Sequence, residues 1–172
     1  IRSNALDELQ QQSPELIQRV ESAAANLVVM VVPSFAGTLE PMPQQRRRRF
    51  EDHLDAALAR AQNLLTSPEK RDHLRRAHEN YHTQPSSLAV VNACSTCRGY
   101  CCKNGGDHAF VTAEFLAWRL LDEPQQTADR LRAEYVARIP EAHYPHSCLF
   151  QSPQGCVLPR STRGTTCNGF EC

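Results

Sequence analysis

Aromatic side chains make up only 6 % of the 172 residues, and there is a single tryptophan. Sandwiches and barrels lean on aromatic and β-branched residues to fill pleated surfaces, so this shortage, beside abundant Leu, Ala and Arg, predicts packed helices. Net charge is also missing: nineteen Lys and Arg balance nineteen Asp and Glu. No global field therefore recruits nucleic acid or an anionic membrane, and neither is expected as a partner. The chain has no long apolar run. Leu27–Val32 is closed by Pro33, and even counted from Ala23 it reaches only about half of the roughly twenty residues a spanning helix needs. It reads instead as a buried helix end or short strand. Cysteine, finally, is absent before residue 94.

What is present follows from that last gap. All eight cysteines lie in the second half, four of them within Cys94-Ser95-Thr96-Cys97-Arg98-Gly99-Tyr100-Cys101-Cys102 and the others at Cys148, Cys156, Cys167 and Cys172. Secreted disulfide frameworks belong to smaller domains with scattered cysteines, so the grouping favours metal ligands in a reducing compartment, and a cytoplasmic location is expected. A Cys-x-x-Cys turn places two sulfurs on one side of the backbone, a half-site for zinc or iron. Gly99, two places on, permits a tight turn with positive φ. Neighbouring side chains in extended chain point to opposite sides, so Cys101 and Cys102 are expected to face different ions or to share a polynuclear cluster. Four cysteines per tetrahedral zinc would use all eight.

The first half reads as helices. Ser13-Pro14-Glu15 opens one that carries Leu16, Ile17, Val20 and Ala24 on one face. A Pro-rich loop spans 33–45, and Phe50, Leu54, Leu58, Ala61 and Leu65 then recur at helical spacing behind Arg46–Arg49. Those arginines read as a solvated helix start, placed inside the first turns because cations are unfavourable at a helix N-terminus. Ser67-Pro68-Glu69 opens the next helix, with Leu74, Ala77, His78 and Tyr81. Within it His78-Glu79-Asn80-Tyr81-His82 matches the zinc-protease pattern H-E-x-x-H. Its polar surroundings and the lack of a downstream third-ligand pattern set it against a catalytic zinc. After Leu88–Val91 and the cysteine block, Phe110–Thr112 is expected to be extended. Thr112 caps a helix with Phe115, Leu116, Trp118, Leu120 and Leu121, and Trp118 is expected in the core. Pro124 starts another with Ala128, Leu131, Tyr135 and Ile139, and the chain from Pro140 onward is expected to be irregular and held by its cysteines.

Cys94-x-x-Cys97-x-Gly99-x-Cys101-Cys102, Phe110-Val111-Thr112-x-Glu114, Cys148 to Cys156 across Gly155, and Cys167-Asn168-Gly169-Phe170-Glu171-Cys172 together resemble the YkgJ-like group of bacterial zinc- or iron-chelating cysteine-cluster proteins. The resemblance covers about residues 90–172. It implies metal chelation, and a related cysteine block in flagellin lysine methylases is associated with an iron–sulfur cluster. Where such proteins carry an Arg-Pro pair ahead of the penultimate cysteine, this chain has Ser161–Thr166. The expectation is thus a mainly α, single compact domain: a helical region over 1–89 and an irregular cysteine-rich metal-binding region over 90–172. Its leading function is chelation of zinc or iron by Cys94, Cys97, Cys101, Cys102, Cys148, Cys156, Cys167 and Cys172. The alternatives are an iron–sulfur redox or modifying enzyme and, behind it, an H-E-x-x-H hydrolase.

Overall fold

The computed structural model describes residues 35–79, Cys97 and 99–169. The chain divides into two compact units, Ile1–Pro33 and Ser34–Cys172, and the described residues belong to the second. They are mainly helical, as composition predicts. The helix expected from Ser13, the apolar run Leu27–Val32 and the stretch Leu88–Val91 lie outside them. No described helix is long and apolar enough to cross a membrane.

Helix α1 (Gln44–Leu64) begins behind Pro43, whose φ of −65° is already helical, and contains the four arginines in its first turns as expected. Phe50, Leu54, Ala57, Leu58 and Ala61 form its buried face. Helix α2 (Pro68–Glu79) follows Ser67, whose hydroxyl accepts from Lys70 N at 3.4 Å, and Leu74 is its buried anchor. Helix α3 (Ala113–Asp122) is capped by Thr112 Oγ1, which accepts from Phe115 N at 3.2 Å. Helix α4 (Ala128–Val136) is capped in the same way by Thr127 Oγ1, accepting from Arg130 N at 3.2 Å. α1 packs on α3 and α4, and α2 on α3. The core centres on Phe50, Tyr135 and Phe150, with ring centroids 5.0–6.3 Å apart and Phe150 edge-on to Phe50. Trp118 is half-buried beside Phe115 rather than in that core.

Two short antiparallel pairs bring the cysteine-bearing chain onto the helices. β1 (Glu40–Pro41) pairs with β2 (Ala142–His143), which joins the approach to α1 with the approach to Cys148. β3 (Gln151–Ser152) and β4 (Gly155–Cys156) form a hairpin that sets Cys156 opposite Gln151. A 3₁₀ turn (Arg160–Thr162) and helix α5 (Thr165–Gly169) complete the described chain.

Four local expectations are corrected. Phe110–Thr112 is not a strand: Ala109 and Phe110 have φ of 52° and 55°, and Val111 N donates to His108 O at 2.9 Å, closing a turn. Pro124 does not start a helix, because Gln126 N turns back to Glu123 O at 2.8 Å and the cap falls to Thr127. Residues 140–169 are less irregular than expected, since β2, the hairpin, the 3₁₀ turn and α5 punctuate them. Arg46 is not solvated: it is 4 % exposed, since position 46 lies one turn before Phe50 on the buried ladder.

Candidate functional site

The first cysteine block turns at Gly99, which has a φ of +80°. A side chain there would strain the backbone and would set its Cβ 3.0 Å from both Cys102 Sγ and Gln151 Nε2. Cys102 N donates to Gly99 O at 2.8 Å, and Tyr100–Asn104 form a 3₁₀ turn. The extended conformation expected for Cys101-Cys102 is thereby corrected. With about three residues per turn, adjacent side chains are not opposed, and the two thiols hydrogen-bond to each other.

The second block is seated directly on the first. The Cys102 carbonyl accepts from Gly105 N at 2.9 Å and from Cys148 N at 2.8 Å. Cys148 is buried, and the approach is close: a Cβ on Gly105 would lie 2.8 Å from Cys148 Cβ and 3.1 Å from its Sγ. Cys156 follows on β4 and Cys167 on α5, which Gly164 starts by accepting from Cys167 N at 2.9 Å. Arg163 stands between them, donating from Nε to Leu158 O at 2.8 Å and from Nη2 to Cys156 O at 3.4 Å.

The electrostatics report the same convergence. The hydrogen bond from the Cys102 thiol lowers Cys101 to about 6 against the opposing effect of burial, with Arg163 assisting. That bond raises Cys102, as do burial and the neighbouring Cys148, Cys101 and Cys156. The pair thus titrates as a unit whose remaining proton sits on Cys102. Burial pushes Cys148 up to about 12, with Cys156 and Cys167 adding to the rise. It pushes Cys167 up to about 11, with Cys156 and Cys101 adding, and it raises Cys156 against the pull of Arg163. Each of these five thiols thus feels at least one thiol of the other block, and burial favours the proton on Cys148, Cys156 and Cys167. No group of three or more His, Cys, Asp or Glu among the described residues is close enough to hold a metal ion.

Of the predicted ligands, Cys102 and Cys148 are joined through the backbone, Cys101, Cys156 and Cys167 are half-buried on neighbouring elements, and Cys97 is buried, its carbonyl accepting from Phe35 N at 3.0 Å. Cys94 and Cys172 lie outside the described residues. The H-E-x-x-H segment is described only to Glu79 at the end of α2 and without the side chains of His78 and Glu79, so Asn80, Tyr81 and His82 also fall outside.

The sequence reading missed the polar frame around the thiols. Ser147 and Gln151 are fully buried and hydrogen-bonded to each other, Ser147 Oγ donating to Gln151 Oε1. Arg163 has no local signal, since its carbonyl partners are set by the hairpin. Arg46 did carry one: 46, 50, 54 and 58 form a single i, i+4 row. Compared with known proteins, the chain matches no family model, no curated protein and no solved structure.

Proposed function

We propose that this chain chelates zinc or iron through thiolates drawn from both cysteine blocks, the role that its resemblance to the YkgJ-like group implies. One observation carries the reading: the 2.8 Å hydrogen bond from Cys148 N to the Cys102 carbonyl, which joins two segments 46 positions apart at their cysteines. Burying thiols beside one another without a disulfide leaves soft donors of high affinity for such ions. Cys94, Cys97 and Cys172 are the further donors on which this reading calls. Because Cys102, Cys148, Cys156 and Cys167 favour their protons, uptake of an ion displaces them, and affinity rises with pH. A reducing compartment such as the cytoplasm is part of this reading, since the thiols must stay reduced.

The test is metal per chain and free thiols on anaerobically purified protein. The reading expects bound zinc or iron with all eight thiols reduced; four disulfides and no metal would contradict it. A second reading, an iron–sulfur cluster in a redox or modifying enzyme, is favoured by the paired thiols of Cys101 and Cys102 on one 3₁₀ turn, which suit a polynuclear centre. A brown protein with broad visible absorption would select it, and a colourless zinc-loaded one would exclude it.

A further inference from the structure

The helical part of the chain reaches into the cysteine site through Arg46 above all. Arg46, on the first turn of α1, is 4 % exposed, yet its guanidinium is fully engaged. Nε donates to Asp107 Oδ1 at 2.6 Å. Nη1 donates to Tyr144 O at 2.8 Å and to His143 Nδ1, and Nη2 to Gly106 O at 3.5 Å and to Ser147 O. Gly106 and Asp107 are the exit of the first cysteine block, and His143–Ser147 the entrance of the second. The contact with Ser147 matters most. The carbonyl of Ser147 and the N–H of Cys148 belong to one planar peptide unit. Arg46 holds that unit by its oxygen, and the Cys102 carbonyl holds it by its nitrogen at 2.8 Å. Leu149 N donates to Gly106 O at 2.9 Å and holds the next peptide, so the planes on both sides of the Cys148 Cα are tied to the first block and the direction of its side chain is restricted.

Resting on the metal-chelating reading above, we infer that Arg46 is the positioning residue of the thiol centre: a charged fork that joins the two blocks and aims Cys148. An apolar residue could fill the space, and a lysine could supply the charge. Neither offers the planar set of donors needed to reach Asp107, Tyr144 and Ser147 together. Asp107 supports it from outside, bridging Arg46 Nε and Arg49 Nε at 2.6 Å each.

The test is Co²⁺ binding by the full reduced chain, followed by thiolate-to-cobalt charge-transfer absorption and by competition with a chromophoric chelator. Arg46→Lys should weaken cobalt 10–100-fold, the range seen when the outer support of a metal ligand is lost, and should reduce the charge-transfer intensity per ion. Asp107→Asn keeps the guanidinium and serves if Arg46→Lys does not fold; it should weaken binding in the same direction by less. Arg132→Met, which breaks the exposed Arg132–Asp55 pair between α4 and α1, measures general loss of stability and should leave cobalt binding unchanged. The inference is overturned if Arg46→Lys and Asp107→Asn bind within twofold of the wild type with the same spectrum, or if Arg132→Met weakens cobalt equally. If the wild type itself takes up no cobalt through sulfur, the chelating reading fails first and the inference falls with it.

Discussion

Replacing Gly99 with alanine tests whether the first block turns as described. The backbone there has a φ of +80°, where an L-residue costs about 1–2 kcal/mol. The added Cβ would also stand 3.0 Å from Cys102 Sγ and from Gln151 Nε2. Gln151 is fully buried and tied to Ser147, so it cannot swing away freely, and the contact adds to the backbone strain. In a chain of this size each 1 kcal/mol lowers Tm by roughly 2–4 °C, so Gly99→Ala should melt roughly 2–8 °C below the wild type before the contact is counted. Helical circular dichroism of the reduced, metal-free protein reads this directly. Gly99→Asn separates the two effects, because asparagine tolerates the left-handed region better but carries the same Cβ. It should recover part of the loss and not all of it. If Gly99→Ala melted within a degree of the wild type, the positive-φ turn against Cys102 would be wrong.

Tyr135→Phe removes a buried hydroxyl that donates to Thr162 O at 2.6 Å, stranding a carbonyl and costing about 1–3 kcal/mol in urea unfolding. His143 is buried and accepts from Arg46 through Nδ1, and burial, then the Arg46 charge, lower its pKa. The folded state thus binds its proton less readily than the unfolded chain. This contribution to stability is complete above the unfolded value of about 6.5 and is lost as pH falls from there, so His143→Gln should flatten the fall in Tm over that window. Hydrogen bonds from Arg49 and Arg46 outweigh burial and lower Asp107, so its contribution is lost only at more acidic pH, below about 4. Cys167→Ser should reduce bound metal and speed proteolysis within 140–172, with α1 still resistant. Equal metal and equal cleavage would remove α5 from the site.

The helices were legible because their determinants are local. Phe50, Leu54 and Leu58 recur at one face, and Ser67 and Thr112 cap as their identity suggests. Pro124 misled because proline favours a first helical turn without requiring one, whereas Thr127 had the side chain to satisfy Arg130 N. The grouping of thiols was visible, but their geometry was not. Opposed Cys101 and Cys102 side chains follow only if the chain there is extended, while the 3₁₀ turn depends on Gly99 and on Cys148 N reaching the Cys102 carbonyl. Arg46 was read by its charge and not by its helical phase. A buried guanidinium needs partners contributed from far along the chain, here Asp107, His143, Tyr144 and Ser147, which no local window contains.

The most direct measurement of the central claim is X-ray absorption at the metal edge of anaerobically loaded protein, on the wild type and on Cys148→Ser. The account predicts a shell of sulfur at about 2.3 Å from the metal in the wild type, and fewer sulfurs per metal, or less metal bound, once Cys148 is removed. A shell made mainly of nitrogen and oxygen, or a sulfur shell indifferent to Cys148, would contradict a centre shared by the two cysteine blocks.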